Sequence, residues 1–449
     1  MAGQAEVQVS HFLDEYGVGS FHYKLLFWTV LMALIDGYDI GAVAFAAPSL
    51  IREWHIAPKA LGLLLSASNF GVLFGSQIFG WIGDRYGRKN ALILANVLFG
   101  IFTFIAAYST NLTEMSWLRF IAGLGIGGVI PNIVAINAES APRDKRATLA
   151  IIATGMVPLG GACAGFVSAG FVASHGWQIL FFVGGVAPIV FALGAIFYLP
   201  ESIKFMALHE GQRRKMEALL KEMRPDFVVP PNARFVIEDE KQAPSNPLNL
   251  FREGLALITP LTWLIFACNL MGYFFLLSWT PTLMGAAHVP PQIAALAGAG
   301  LQVGGTVGSL LLSSWLQRSR FLAIAIMFVI AVPIVSAIGY AGLSSTAALL
   351  VVTFFAGFIV LGIQSGINVV GAMIYPTSLR ANGSGWQLGI GRLGAIAGPL
   401  VGALFVGLPV TRLYMWSALP FAAGAIVTFI VYTLVSARLR ARPELAKAQ

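Results

Sequence analysis

The chain is written as long apolar runs separated by short polar joints. Runs of about 20 apolar residues, the length a helix needs to cross the hydrocarbon core of a bilayer, recur twelve times between Leu25 and Val435. They predict spans near 24–50, 60–83, 90–109, 117–140, 148–173, 178–199, 254–284, 291–315, 321–342, 347–375, 383–408 and 413–435. Between Pro200 and Phe251 the pattern turns polar, with GQRRK at 211–215 and VPPNAR at 229–234, too long and too charged for a turn inside a compact domain. This linker divides the spans six and six.

Composition agrees. With 57% hydrophobic and 11% charged residues, the chain carries less than half the ~25% charged residues of an ordinary soluble domain. The first 23 residues are polar and of mixed charge, without a basic-then-apolar segment ending in a small-residue cleavage site, so no cleaved signal is expected. A net charge of +8 raises the question of nucleic acid, but its distribution answers otherwise. Of the 28 Lys and Arg residues, 23 fall in one alternate set of loops and tails, three in the other (Arg52, Lys59, Arg412), and two, Arg119 and Arg392, within spans. Lys and Arg resist translocation, which predicts both termini on the cytoplasmic side and no nucleic-acid partner. Cys163 and Cys268 lie inside spans with no ligand spacing, so neither a disulfide nor a metal is expected.

Sliding one half over the other reveals a duplication at an offset near 235. Trp28, Gly37 and Tyr38 match Trp263, Gly272 and Tyr273; Phe120, Ala122 and Gly123 match Phe354, Ala356 and Gly357; Pro142 and Arg146 match Pro376 and Arg380. The predicted organisation is a tail over 1–23, a six-helix bundle over 24–200, a linker over 201–253, a second six-helix bundle over 254–435 and a tail over 436–449. Divergence within the repeat is also informative. Asp36 stands opposite Met271, Asp39 opposite Phe274, Arg119 opposite Thr353 and Glu139 opposite Met373, while Arg392 stands opposite Pro158.

Ionisable groups inside a span cost several kcal/mol unless they face a cavity or a partner, and five are present. Asp36 and Asp39, three apart, share a helical face at a depth of roughly 18–22 Å. Two close, poorly hydrated carboxylates repel each other, and such a group can load and release a proton; the other reading makes one of them the ionised partner of Arg119. Arg119 near its span end either snorkels to the interface or reaches inward to a carboxylate. Arg392, roughly 14 Å from the nearer surface by helical rise, offers a planar fork that matches an organic carboxylate, or a structural partner. Tyr38, Tyr273, Asn132, Gln302 and Gln364 lie near mid-span, where they serve helix packing or hold a ring and its hydroxyls. The glycine runs at 123–128 and 155–165 have no strand beside them, so they permit close helix packing rather than phosphate binding.

The loop GWIGDRYGRK at 80–89 resembles the GxxxDRxGR[RK] signature of the major facilitator superfamily, as do RFIAGLGIGG from Arg119 and ESAPRDKR at 139–146. More narrowly, DGYD at 36–39 with AAPSL downstream, and YPTSLRANGSGWQLGIGRLGAIAGP at 375–399, resemble the aromatic acid:proton symporters. The resemblance implies an all-α membrane protein of twelve helices in two pseudo-symmetric six-helix bundles, multi-pass in the bacterial inner membrane. It implies that Asp36 and Asp39 are needed for transport, that Asp84, Arg85 and Arg88 act in inner-gate movement, and that Arg119, Glu139, Arg380 and Arg392 act in coupling, substrate handling or, for Arg380, gating. Asp84 is placed to meet a helix N-terminus or a cation when the inner side closes, or else serves as a topology anchor. Two departures stand out: Gln317 where the pattern expects an acid, and Gln178 where it has an arginine.

The function expected is import of a small aromatic carboxylate driven by protons, by a monomer that needs no cofactor. The rivals are a carrier or exporter of another organic anion, a membrane enzyme and a receptor. The six histidines lie at span ends or in loops and form no catalytic set, and the short tail from Ser436 offers no signalling domain.

Overall fold

The computed structural model describes residues 6–230, 233–237, 246–252, 254–375 and 379–441; the side chains of 210, 313–320, 369–373, 381, 439 and 441 fall outside that description. Gln317 and Pro376 thus lie outside what is described. Twelve stretches are long and apolar enough to cross a membrane: Ser20–Trp54, Pro58–Tyr86, Arg88–Ala106, Leu112–Ser140, Arg146–His175, Gln178–Tyr198, Ile258–Ala286, Pro291–Leu312, Phe321–Ser344, Thr346–Asn368, Asn382–Phe405 and Val410–Arg438. They are numbered here as spans 1 to 12. Hydrocarbon offers no partner for backbone polar groups, so such segments must be helical. Span 5 is two helices, Arg146–Thr154 and Val157–His175, parted just before Pro158, which lacks the N–H that a continuing helix needs. Span 12 is likewise divided, into Val410–Ser417 and Leu419–Ala441.

Within the first half, span 1 packs on spans 5 and 6, span 2 on span 4, and span 3 on spans 4 and 6; within the second, span 7 packs on spans 11 and 12, and the helix holding spans 8 and 9 packs on span 10. The two halves use the same contact. In the first, Gly71 and Gly75 of span 2 lie so near the carbonyls of Phe120 and Leu124 that an added Cβ would collide with them; in the second, Gly304 and Gly308 lie in the same way against Phe354 and Phe358. Lipid supplies no hydrophobic drive between helices, so close backbone approach at small residues supplies the attraction. The equivalence of Phe120 with Phe354, read from the repeat, is therefore a packing equivalence.

The tail and linker are more structured than their polarity suggests. Glu6–Gln8 pairs in parallel with Arg234–Val236, placing Val7 opposite Phe235. The helix Val9–Tyr16 that follows buries Val9, Phe12 and Leu13, with Phe12 edge-on to Phe227 at 4.8 Å. Linker helices Ile203–Leu208 and Arg213–Met223 bury Met206, Met216 and Leu220 against the same cluster. Asp14 bridges Arg143 at 3.6 Å and Glu15 bridges Arg224 at 3.1 Å. Tail and linker together cap the first half at one end, called here the linker face.

The halves meet toward the opposite, far face. Ser66 of span 2 donates to the Ile396 carbonyl of span 11 at 2.9 Å, and Asn69 to that of Ala395 at 3.5 Å. Phe45 of span 1 sits where a Cβ on Gly165 (span 5) would approach it to 2.9 Å and one on Gly298 (span 8) to 2.6 Å. Toward the linker face, Gly80 of span 2 and Gly385 and Gly389 of span 11 face open space. Alanine at Gly75 or Gly308 should cost about 1–3 kcal/mol through overpacking and sharply lower the yield of monodisperse protein in size-exclusion chromatography, while alanine at Gly80 or Gly389 should leave it unchanged.

Candidate functional site

Asp39 and Arg119 are both fully buried, and they pair. Arg119 Nη1 donates to Asp39 Oδ1 at 2.9 Å, Nη2 donates to Oδ2, and Nε donates to Ser68 Oγ at 3.2 Å. Thr103 Oγ1 donates to Asp39 Oδ1 at 2.8 Å, and the guanidinium lies 5.9 Å from the Phe181 ring centroid. Spans 1, 2, 3, 4 and 6 thus close around one two-pronged ion pair, the strongest form of charge-assisted hydrogen bonding. Arg119 reaches inward and does not snorkel.

Asp36, one turn nearer the linker face, has a different environment. It is 2% exposed, and its Oδ1 has no hydrogen-bond partner among the described residues. The cation that acts on it is Arg392 of span 11, in the other half, without a direct ion pair between them. Arg392 has no acid of its own to turn to, because the sequence holds no Asp or Glu between Glu253 and Glu444. A carboxylate for this guanidinium must come from the first half or from a ligand.

The signature loop forms a second polar cluster at the linker face. Arg88 bridges Asp84 at 2.5 Å and Glu139 at 2.8 Å, and Ser202 Oγ donates to Glu139 Oε2 at 2.5 Å. Gly87 turns the chain with φ of +100°, and a Cβ there would strike the Glu201 carboxylate, which itself accepts from the Lys89 amide at 3.0 Å. Burial pushes the Glu201 carboxyl above the usual range, against the amide hydrogen bonds it accepts from Lys89 and Ser202. The structure does not bring Glu139 to the two aspartates; it belongs to this cluster. Arg85 instead lies over the exposed rings of Trp81 and Tyr86, at 5.6 and 5.9 Å. Arg380 is half-buried at the start of the span 11 helix, its Nε without a hydrogen-bond partner among the described residues.

The Major Facilitator Superfamily profile matches residues 29–399. The chain belongs to this superfamily. It is 32% identical to the 4-hydroxybenzoate transporter PcaK of Pseudomonas aeruginosa, over 90% of each chain, and 30% identical to a gallate transporter of Pseudomonas putida, over 98% of this chain and 97% of that one. Its fold is similar to the xylose transporter XylE from E. coli in a partially occluded inward-open conformation, with a TM-score of 0.71 at 15% identity over 92% of this chain and 98% of that one. The chain is a multi-pass membrane transporter, not an enzyme.

The other mid-span candidates of this facilitator are dispersed. Tyr273 Oη donates to Gln302 Oε1 at 2.9 Å, and Gln302 Nε2 lies against Gly161 across the junction of the halves. Gln364 accepts from Asn269 at 2.8 Å and donates to Asn368 at 3.3 Å. Asn132 donates to the carbonyls of Phe79 at 3.1 Å and Gly128 at 2.8 Å, tying span 4 to span 2. The Tyr38 ring lies toward Gly184 of span 6, inside the first half. Thr103, Ser68 and Asn269 were not singled out by the sequence, because a lone hydroxyl or amide in an apolar run carries no pattern.

Asp39→Asn should strand the Arg119 charge and cost about 3–5 kcal/mol, seen as a marked fall in Tm of purified protein. The double variant Asp39→Asn/Arg119→Gln should recover part of that loss, and Asp36→Asn should lower Tm far less.

Proposed function

We propose that this facilitator is a proton-coupled symporter importing small aromatic carboxylates of the benzoate and hydroxybenzoate kind across the bacterial inner membrane. The observation that carries the reading is Asp36, its Oδ1 without a hydrogen-bond partner among the described residues, lying within electrostatic reach of Arg392 in the other half, which contains no acid. The relatives, which are named for 4-hydroxybenzoate and gallate, support the substrate class.

A guanidinium within a membrane span left without a counter-charge costs several kcal/mol. Arg392 is satisfied in one state by ionised Asp36 and in another by the carboxylate of the substrate, once Asp36 has taken a proton. Proton and substrate therefore bind together, and the doubly loaded and empty carriers are the two forms in which the charges balance. The ring rests against the apolar walls of the junction, where the hydrogen-bonded Tyr273 and Gln302 offer polar contacts to ring hydroxyls. Asp39 and Arg119 hold the first half rigid beneath Asp36.

Movement follows from the same geometry. The halves are clasped toward the far face by spans 2 and 11 and by Phe45, while Gly80, Gly385 and Gly389 nearer the linker face have open space beside them. Rocking them exchanges this clasp for one at the linker face, where the exposed Asp84 carboxylate, 69% accessible, is available to the N-terminus of a neighbouring helix. The linker face is cytoplasmic by its excess of Lys and Arg, so the far face is periplasmic, and the protein acts as a monomer.

In proteoliposomes with an inward proton gradient, wild type should accumulate labelled 4-hydroxybenzoate. Asp36→Asn should abolish accumulation while retaining exchange of label down its gradient, and Arg392→Ala should lower uptake by roughly 100-fold or more, the scale set by an uncompensated buried carboxylate. Uptake indifferent to protons and to both substitutions would leave the chain a carrier of some other compound.

A further inference from the structure

A cavity of about 1360 Å³ opens at the far face, walled by both halves. Among the described residues, the ionisable groups lining it are Arg52 of span 1 and His288, which precedes span 8, with no acid. The Arg52 guanidinium is exposed and, among the described residues, donates to the Pro48 carbonyl at 3.3 Å and Ser49 Oγ at 3.4 Å, which leaves donors for a ligand. Glu53, the nearest acid in the chain, is turned away, its Oε2 accepting from Trp177 Nε1 at 2.7 Å. His288 is in the left-handed region with φ of +59°, a conformation that histidine adopts more readily than most residues with a side chain. The rest of the wall is mainly apolar, with Pro281 and Leu408 contributed by the second half.

Phe45 is part of this lining and is 3% exposed. It fills the space between Gly165 and Gly298 from opposite halves. From Phe45 to Asp36 is nine residues of helix, about 14 Å by helical rise, and neither Asp36 nor Arg392 lines the cavity, so it is distinct from the Asp36/Arg392 junction.

We propose that this cavity is a second substrate site, a periplasmic antechamber in which Arg52 holds the carboxylate of the aromatic acid before the Phe45 seat opens. The claim rests on the reading of the protein as an aromatic-carboxylate importer and adds a place and a residue to it. The chemistry is that of the site: a guanidinium with no acid in the described lining, an imidazole lining the same cavity and apolar walls for a ring. Because the cavity is far larger than one ring and open to water, the complex is weak and fast. Its use is to raise the local concentration of an anion at the gate.

Saturation-transfer NMR, which detects weak and fast complexes, tests this on the purified full-length protein with 4-hydroxybenzoate as probe. Arg392→Ala disables the junction site, and the signal from the ring protons should persist in that variant. It should fall at least threefold in Arg392→Ala/Arg52→Gln and be kept in Arg392→Ala/Arg52→Lys. In the otherwise wild-type transporter, Arg52→Gln should raise the KM for uptake several-fold at low salt and lose most of that difference at high salt. Loss of the NMR signal in Arg392→Ala alone, or a signal indifferent to Arg52→Gln, overturns the second site. Binding with these dependences but without proton-driven uptake would instead sink the symport reading and leave the site standing.

Discussion

A positive charge inside a membrane must be answered by a negative one, and here the answer is unevenly distributed. The second half of the protein has no carboxylate over the whole stretch from Glu253 to Glu444, yet it holds Arg392 within its eleventh span. The first half holds two aspartates one helical turn apart, of which Asp39 is fully committed to Arg119 through two prongs and a threonine. That leaves Asp36 as the intramembrane carboxylate available to Arg392. On the function proposed above, the division gives the remaining roles: a first half held by its own ion pair, a junction whose charge balance depends on what is bound, and a clasp of small residues and ring edges.

The packing follows the same economy. Each half is drawn together by glycines set against carbonyl oxygens, at equivalent places in spans 2 and 4 and in spans 8 and 10. Contacts this close specify one arrangement within a half. Between the halves the direct hydrogen bonds among the described residues are the two from span 2 to span 11; the rest is packing of span 2 on span 11, span 5 on span 8 and span 1 on span 7, with Gln302 against Gly161 and the Phe45 seat. Few polar links between the halves suit the proposed rocking, since such an interface exchanges at small cost.

Much of this was legible in the sequence. The bilayer forces long apolar runs, so the spans stood out, and the offset that matched Phe120 and Gly123 with Phe354 and Gly357 proved to mark residues at the helix contacts themselves. The five intramembrane charges were visible because each is costly. Which aspartate pairs with Arg119 was not, because residues three apart share a face and only the rotation of span 1 against spans 3 and 4 separates them. Glu139 read as a coupling residue, yet its partners Arg88 and Ser202 lie at the linker face, in segments too far along the chain for spacing to reveal. The pairing of Glu6–Gln8 with Arg234–Val236 was equally hidden, since three residues of strand signal little by themselves and the partner lies beyond six spans.

The central claim is that substrate and Asp36 compete to balance Arg392, so that binding substrate obliges Asp36 to take a proton. The direct measurement is proton exchange on binding, with 4-hydroxybenzoate added to purified protein in weakly buffered solution containing a pH indicator. The account predicts uptake of about one proton per substrate bound by wild type, and none by Asp36→Asn. Binding without proton uptake, or uptake that persists in Asp36→Asn, would contradict it.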